Sequence, residues 1–562
     1  MFPIPQVEGS AYLPAPGWAG RMARAVPVEA RRGPVDPGSK PLAWMAVIVM
    51  VVLLALTAVL QQMAVHGREA KKQAAAGAGG AGGAAIGEVE PPTFDNLMLA
   101  SKLVSKFTEL SEQMKQPSGA SMQPMIASLD QTAVEEADRV RLISVIGFNV
   151  SPEAAVMRAE ELLLPPTVEA ESGATAPATG DGGAKPGVGP GVVVIVAEAK
   201  KLPPGQRPLK DAKMRADAEL LRKVYSTGDA SKALMREEAE GLTARHGFYG
   251  RLANLHGLAA GDQAREAVVG GGTALLVALL LIGCVVLAAF VAGVVMFIVA
   301  VVGFASGRMR AAFVPPTAGG SVPIEMVAVF LAMFMMLKIG SEVLHATTAL
   351  DEKQLTIIAL LAQWSLACVI FYPRLRGVSK AEWKEMLGLR AAAPHRSVMR
   401  EVGMGILSYL AILPVFVGSA LVAVMVLFAS QAFSAAGPGG DPPPPPSSPL
   451  FDLFAGGPLA VVLLASLTML WAPLVEEVVF RGALFRHLRG RWGVAVAALL
   501  SGLVFALLHQ YHPAQLIPVF TLGFCFALVR EWRGSLIASM VCHCIHNSFV
   551  TIVLITLISL LA

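Results

Sequence analysis

The sequence predicts an all-α polytopic membrane protein with about nine transmembrane helices and a helical extracytoplasmic insertion after the first. Of its 562 residues, 54% are hydrophobic and only 15% are charged, whereas a soluble domain carries about 25% charged residues. Several stretches contain no charge over the roughly 20 residues that a helix needs to cross a bilayer. Between residues 66 and 266 the chain becomes polar, with apolar residues at helical spacing.

The first element is a membrane anchor that is entered from a basic side. Residues 1–40 carry five Lys and Arg side chains and precede a charge-free stretch from Pro41 to Leu60. The positive-inside rule therefore predicts a cytoplasmic N-terminal tail over 1–40 and a first anchor over 41–65. The tail is too long and too rich in proline for the basic region of a signal peptide, so we expect an uncleaved anchor.

Residues 66–266 form the predicted insertion, which we expect to be extracytoplasmic, mostly helical and partly disordered. The Gly, Pro and Ala content of Thr167–Gly191 indicates disorder, and Val192–Val196 is compatible with a short strand. His246 and His256 stand alone in the sequence, which favours surface positions. No cysteine lies in this range, so no disulfide framework supports it.

Residues 267–401 are predicted to contain transmembrane helices and a basic cytoplasmic segment. The charge-free run Ala267–Gly307 exceeds one crossing and fits one long helix or a tight hairpin. Two weaker spans follow, at Val322–His345 and Leu355–Tyr372. The segment Arg374–Glu401 then holds seven Lys and Arg against three Glu, which places it inside.

Residues 402–562 are predicted to be a membrane core of five helices. Val402–Ser430 spans the membrane, with Pro414 as a kink. The basic residues between the remaining segments alternate as in successive crossings, which places the C-terminus outside. The four remaining segments are Leu453–His487, Trp492–His509, Ala514–Val529 and Ser535–Ala562.

The first polar cluster of this core is Glu476, Glu477 and Arg481, directly after a charge-free run. Ionisable groups at membrane depth cost several kcal/mol, so they are paired or functional by default. Glu477 and Arg481 are four residues apart in the favoured ion-pair order. Glu476 lies about 100° round the helix and remains available for chemistry. The alternative is a charged cap where a helix meets the cytosol.

Two further clusters lie on later helices, Phe505 with His509 and His543 with Asn547. Each pair is four residues apart and therefore shares a helix face. With Glu476 they supply a general base, a proton carrier and oxyanion donors, which is the inventory of a hydrolase. Histidines that only bond a neighbouring helix are the alternative. The sequence contains no His-Glu-x-x-His zinc motif, no Gly-x-Ser-Gly and no P-loop.

The ordered set Glu-Glu-x-x-x-Arg, Phe-x-x-x-His and His-x-x-x-Asn resembles the CPBP family. This family comprises CAAX prenyl endoproteases and the Abi bacteriocin-processing or immunity proteins. The resemblance covers 402–562, and Trp383–Leu389 is similar to a segment that often precedes the family's core. It implies an intramembrane endopeptidase that acts on a membrane-associated protein or peptide, in the inner membrane of a bacterial cell.

The resemblance also implies roles for single residues. Glu476 with His509 would activate water, and His543 with Asn547 would stabilise the oxyanion. Among the motif positions, Glu477, Arg481 and Phe505 are structural.

Two questions remain open at this stage. The family implies either zinc or another divalent metal, held by Glu476, His509 and His543, or a metal-free glutamate mechanism. Two non-enzymatic functions also fit the buried charges: a scaffold or immunity-type protein of the same fold, and a transporter that uses them as an ion path. No nucleic-acid partner is expected.

Overall fold

The computed structural model describes residues 32–57, 96–115, 135–164, 204–390, 397–436, 457–509 and 511–561, with a few isolated positions between them. The predicted disordered stretch Thr167–Gly191, the predicted strand Val192–Val196 and residues 1–31 of the tail lie outside the described residues.

The described chain is almost entirely helical. Its two short strands, β1 (Gly33–Val35) and β2 (Pro316–Thr317), pair in parallel. The first half contains α1 Lys40–Thr57, α2 Asn96–Gln113, α3 Glu136–Asn149, α4 Pro152–Leu163, α5 Ala212–Thr227, α6 Ala230–Ala233, α7 Arg236–His246, α8 Phe248–Asn254 and α9 Gln263–Val269. The second half contains α10 Gly272–Ala305, α11 Val322–Thr347, α12 Glu352–Trp364, α13 Lys380–Leu387, α14 Val398–Ala436, α15 Gly457–Arg489, α16 Val494–Leu507, α17 Leu516–Arg533 and α18 Ile537–Leu561. A 3₁₀ segment, Ser365–Phe371, and a short turn, Tyr372–Leu375, extend α12.

Eight helical segments in the described part of the chain are long and apolar enough to cross a membrane. The protein is therefore an integral membrane protein of the all-α polytopic class, as predicted. The remaining one of the nine predicted spans, Trp492–His509, contains only α16, which has 14 residues. At 1.5 Å per residue this helix is about 21 Å long, which is shorter than the roughly 30 Å hydrocarbon layer. The predicted count of nine included this shorter helix.

Helix α10 is continuous over 34 residues, so the long charge-free run is one helix and not a hairpin. It packs against α14 at a point where backbone meets backbone. Pro414 lies inside α14 and has no N–H to donate, which leaves the Leu410 carbonyl without its usual helical partner. A Cβ atom at Gly293 of α10 would stand 2.7 Å from that carbonyl oxygen, so glycine permits the close approach.

The described helices between α2 and α9 have an apolar core of their own. The surface position predicted for His246 is wrong, whereas His256 is partly exposed. His246 is 2% exposed, and its Nε2 lies 2.9 Å from Oδ2 of Asp217. His256 is half-buried, and its ring centroid lies 4.9 Å from that of Tyr225. Isolation in sequence was misleading because the partners lie on other helices.

This helical insertion rests directly on membrane helices. Lys106 of α2 donates a hydrogen bond of 2.7 Å to the Gly270 carbonyl, just before α10. Helix α2 also contacts α10 and α18. The insertion is therefore joined to the helix that carries the third polar cluster.

Buried ion pairs connect the segments on either side of the basic loops. They join α15 to the stretch after β1, α14 to α17, and α15 to α17. The last of these pairs holds α15 against α17. The pairs are Asp36–Arg486, Glu401–Arg533 and Glu531–Arg489, with N–O distances of 2.8, 2.6 and 2.9 Å.

Candidate active site

Helix α15 changes its winding where the first polar cluster lies. Two π-helical segments, Leu467–Trp471 and Glu477–Leu484, flank an α-helical segment that ends at Glu476. A π-helix uses i→i+5 hydrogen bonds, is rare, and occurs frequently at functional sites. The change from α to π winding falls between the two adjacent glutamates. Residue spacing alone assumes a uniform α-helix and gave no sign of this change.

Glu477 and Arg481 form the ion pair that their spacing predicts. Oε1 of Glu477 lies 2.7 Å from Nη1 of Arg481, and both side chains are 0% exposed. Nη2 of the arginine donates to the Gly523 carbonyl at 3.0 Å, and the guanidinium carbon lies 4.4 Å from the centre of the Phe505 ring. The buried charge is thus compensated by a carboxylate, a carbonyl dipole and an aromatic face.

The Gly523 carbonyl reaches Arg481 because α16 and α17 approach each other closely. A Cβ atom at Gly523 would stand 3.0 Å from the Cα of Gly502 and 3.0 Å from Cδ1 of Phe505. Small residues of this kind allow membrane helices to approach backbone to backbone. This contact was not predicted from the sequence, although a glycine on each of two neighbouring apolar helices was a readable signal.

Glu476 has a different environment from Glu477. Its side chain is 17% exposed, and its Oε2 lies 3.8 Å from Nε2 of His543. That distance is too long for a hydrogen bond. Within the described residues, this buried carboxylate oxygen has no hydrogen-bond partner. Oε2 of Glu477 also lacks a partner, but Oε1 of Glu477 is bound by Arg481 and His543. Among the described residues, Glu476 is thus the one of these two carboxylates that accepts no hydrogen bond from the protein.

His543 stands between the two glutamates. It is 4% exposed, and its Nδ1 donates to Oε1 of Glu477 at 3.1 Å. This bond fixes the ring so that Nε2 is the nitrogen next to Glu476. The Phe526 ring, 5.3 Å away, covers another side of the imidazole. The structure thus brings together the first and third clusters that the sequence singled out.

The position of His509 relative to the other two clusters is set through Phe505. Its Nδ1 donates to the Phe505 carbonyl at 2.9 Å, which leaves Nε2 as the free ring nitrogen. The Phe505 ring lies 4.8 Å from the His509 ring and 6.0 Å from the His543 ring, centre to centre. Among the described contacts, no hydrogen bond or ion pair joins His509 to Glu476 or His543. Phe505 contacts both imidazoles and sets their separation.

Asn547 connects α18 to the first π segment of α15. Its Nδ2 donates a hydrogen bond of 2.9 Å to the Thr468 carbonyl. An amide nitrogen carries two N–H groups, so one remains for another acceptor. This contact was not predicted from the sequence, because the position of the Thr468 carbonyl depends on the π segment.

The residues do not fit the metal site that the resemblance allows. In the described part of the chain, no three His, Cys, Asp or Glu side chains form a group that could hold a metal ion. A catalytic zinc site uses three protein ligands and one open position. Glu476 and His543 are neighbours, but His509 does not complete a set of three with them.

Comparisons with known proteins identify the same part of the chain. Residues 458–549 match the family model Rce1-like, the type II CAAX prenyl endopeptidases. The membrane-embedded CAAX protease MroQ of Staphylococcus aureus (strain USA300) is 39% identical over 87 residues, which cover 14% of this chain and 34% of the relative. The chain thus spans about a third of that curated relative, and no solved structure matches it. All three polar clusters lie within 458–549, where the matches confirm the CPBP resemblance.

Proposed function

We propose, from the match of residues 458–549 to the CAAX prenyl endopeptidases, that this protein is an intramembrane endopeptidase. It hydrolyses a peptide bond of a membrane-associated protein or peptide. The observation that carries this proposal is the difference between two adjacent carboxylates. Oε1 of Glu477 is bound by both Arg481 and His543, whereas Glu476 accepts no hydrogen bond among the described residues and its Oε2 lies beside an imidazole nitrogen.

Glu476 is the proposed general base. A carboxylate oxygen that is free of protein donors can accept a hydrogen bond from water and take its proton. The water oxygen bonds to the peptide carbonyl carbon as Glu476 takes the proton. Nε2 of His509 is free because Nδ1 is bonded to Phe505. His509 is the proposed carrier of the proton from Glu476 to the leaving nitrogen as the C–N bond breaks, which returns Glu476 to its carboxylate form.

His543 and Asn547 are the proposed oxyanion donors. Nδ1 of His543 donates to Glu477, so the proposed oxyanion donor is Nε2–H of the imidazolium form, in which both ring nitrogens carry a proton. The second N–H of Asn547 supplies another donor. Donors that are fixed in a buried site stabilise the developing negative charge without reorganisation. Contacts with Glu477 and with the Thr468 carbonyl hold these two side chains in place.

A search for new N-termini tests the proposal even though the substrate is unidentified. The full-length protein is purified in detergent and incubated with the solubilised membrane fraction of its expression host, and new protein N-termini are quantified by mass spectrometry. We expect a defined set of new N-termini with the wild type and with Glu342→Gln, an intramembrane control on α11. Glu476→Gln should produce none of them while it remains folded. Identical sets from wild type and Glu476→Gln would instead favour a non-catalytic scaffold.

The proposed mechanism uses side chains alone, which chelation can test. We expect the Glu476-dependent N-termini to form at an unchanged rate after treatment with 1,10-phenanthroline. Loss of cleavage that added zinc restores would show a metal-dependent enzyme and overturn this part of the proposal. Mass spectrometry of the intact purified protein would then report the bound metal independently of activity.

A further inference from the structure

The short helix α16 ends inside the thickness of a bilayer. It begins just after the basic residues Arg489 and Arg491, which belong near a membrane surface, and it extends for only about 21 Å. The chain then leaves the helix, and the described residues 508–509 and 511–512 precede the 3₁₀ segment at the start of α17. Non-helical backbone at membrane depth is tolerated only where protein buries it or where it lines a polar cavity. These four residues, which include His509, are half-buried.

The turn is fixed by its own hydrogen bonds. Nδ1 of His512 accepts a hydrogen bond of 3.3 Å from the Ala514 amide, and the Gln515 side chain accepts one of 3.2 Å from the His512 amide. This reciprocal capping starts the 3₁₀ segment Pro513–Gln515. Tyr511 directly precedes this cap, so its backbone is held in place.

Tyr511 faces the proposed site from this turn. Its ring centre lies 5.6 Å from that of His509. The ring is half-buried. Tyr511 is thus in ring contact with the proposed proton carrier, although none of the three sequence motifs includes it.

The other two proposed oxyanion donors each already use one N–H group in a hydrogen bond within the protein. Asn547 uses one N–H for the Thr468 carbonyl, and His543 uses its Nδ1–H for Glu477. A neutral phenol is a hydrogen-bond donor that does not depend on imidazole protonation. A phenol donor in the turn between α16 and α17 would add to the two donors on α18.

We propose that Tyr511 is a further catalytic residue, whose hydroxyl donates a hydrogen bond to the substrate carbonyl oxygen as it becomes the tetrahedral oxyanion. This inference rests on the proposed endopeptidase function and adds a third donor to it. The donor comes from the turn between α16 and α17, whereas the other two lie on α18. It acts only as negative charge develops, so it contributes to turnover and not to substrate binding.

The test compares Tyr511→Phe with the wild type and with Tyr409→Phe. Tyr409 is a matched control because its hydroxyl lies 3.5 Å from His546, which is outside the site. The probe is a synthetic fluorescence-quenched peptide that spans the most abundant Glu476-dependent cleavage site in the N-terminus assay. We expect Tyr511→Phe to lower kcat by about 10²-fold, as for other oxyanion donors, with KM and the thermal unfolding midpoint unchanged. Tyr409→Phe should retain wild-type kcat.

Binding of the same peptide separates catalysis from positioning. Its Kd should be equal for Glu476→Gln and for the double variant with Tyr511→Phe. A raised Kd or KM with unchanged kcat, or wild-type kinetics for Tyr511→Phe, would overturn the role of Tyr511 and leave the endopeptidase function intact. If the wild type shows no Glu476-dependent cleavage, the proposed function fails, and the role of Tyr511 fails with it.

Discussion

Oε1 of Glu477 lies 3.1 Å from Nδ1 of His543, so the carboxylate of the buried ion pair also holds the imidazole of helix α18. The same oxygen accepts the hydrogen bond from Arg481. One atom therefore links the two halves of the site, and the structural pair also orients a group that we assign to oxyanion stabilisation. Glu476, one residue earlier, has none of these contacts among the described residues.

Loss of the Glu477 ion pair and loss of the Glu476 carboxylate should have different effects on the protein. Arg481→Ala leaves the buried charge of Glu477 with the His543 hydrogen bond alone, and breaking a buried ion pair costs about 3–5 kcal/mol. We expect a lower yield of folded protein and a lower unfolding midpoint. Glu476→Gln should retain the wild-type midpoint and lose cleavage. Size-exclusion chromatography and thermal unfolding in detergent measure the first effect, and the N-terminus assay measures the second.

Arg236→Ala is the matched control for this experiment. Arg236 pairs with Glu240 at the same i,i+4 spacing, but both side chains are exposed, and such pairs contribute little to stability. Its midpoint should equal that of the wild type. Well-folded and fully active Arg481→Ala would show that the division of roles is wrong.

The sequence predicted those parts of the site that depend on spacing within one helix. Charge-free runs located the membrane helices, because hydrocarbon excludes charge whatever the tertiary packing. The four-residue spacing of Glu477 and Arg481 predicted their ion pair, which the structure contains. The spacing of Phe505 and His509 likewise predicted their shared face, and their rings are in contact.

The parts of the site that were not predicted depend on contacts between helices or on the change from α to π winding within α15. The π segments separate Glu476 from Glu477 and present the Thr468 carbonyl to Asn547. Residue spacing on a uniform α-helix does not indicate where π winding begins. Tyr511 was missed because it lies in a connection, and motif spacing along a helix does not extend to a turn.

Membrane orientation remains a prediction from charge placement. The positive-inside rule puts the insertion outside and the basic segment before α14 inside. Ser231→Cys in the insertion and Ser397→Cys next to α14 occupy exposed positions. In whole cells, a membrane-impermeant maleimide should label Ser231→Cys and spare Ser397→Cys until the membrane is permeabilised. The unmodified protein reports background labelling of its own five cysteines. The reverse pattern would invert the orientation.

The insertion should lose stability in acid through Asp217. Burial alone would raise the pKa of Asp217, but hydrogen bonds from His246 and Arg245 outweigh it, so the pKa lies below its ordinary value. A carboxylate with a lowered folded-state pKa stabilises the fold above its unfolded pKa of about 3.9. That contribution disappears as pH falls through the folded value. We therefore expect the insertion to loosen below about pH 4.

Hydrogen exchange of the full-length protein can locate this effect. Protection in α5 and α7, which carry Asp217 and His246, should fall on acidification after correction for intrinsic exchange rates. Asp217→Asn should reduce protection in both helices at pH 7 and abolish its further loss in acid. Glu237→Gln, at an exposed position of α7, serves as the control. Unchanged protection in Asp217→Asn at pH 7 would contradict a stabilising role for this carboxylate.

Asn547 provides a test of oxyanion stabilisation in which a change of one atom reverses the expected electrostatics. Asn547→Ala removes the donor and should lower kcat by roughly 10²–10³-fold. Asn547→Asp keeps the size but sets a carboxylate against the oxyanion and against the Thr468 carbonyl that now accepts from Nδ2. We expect Asp to be at least as damaging as Ala near neutral pH, with little loss of protein abundance in either variant. Kinetics with the quenched peptide measure both. If Asn547→Asp keeps near-wild-type kcat, Asn547 does not donate to the oxyanion, and a ligand or packing role explains the residue better.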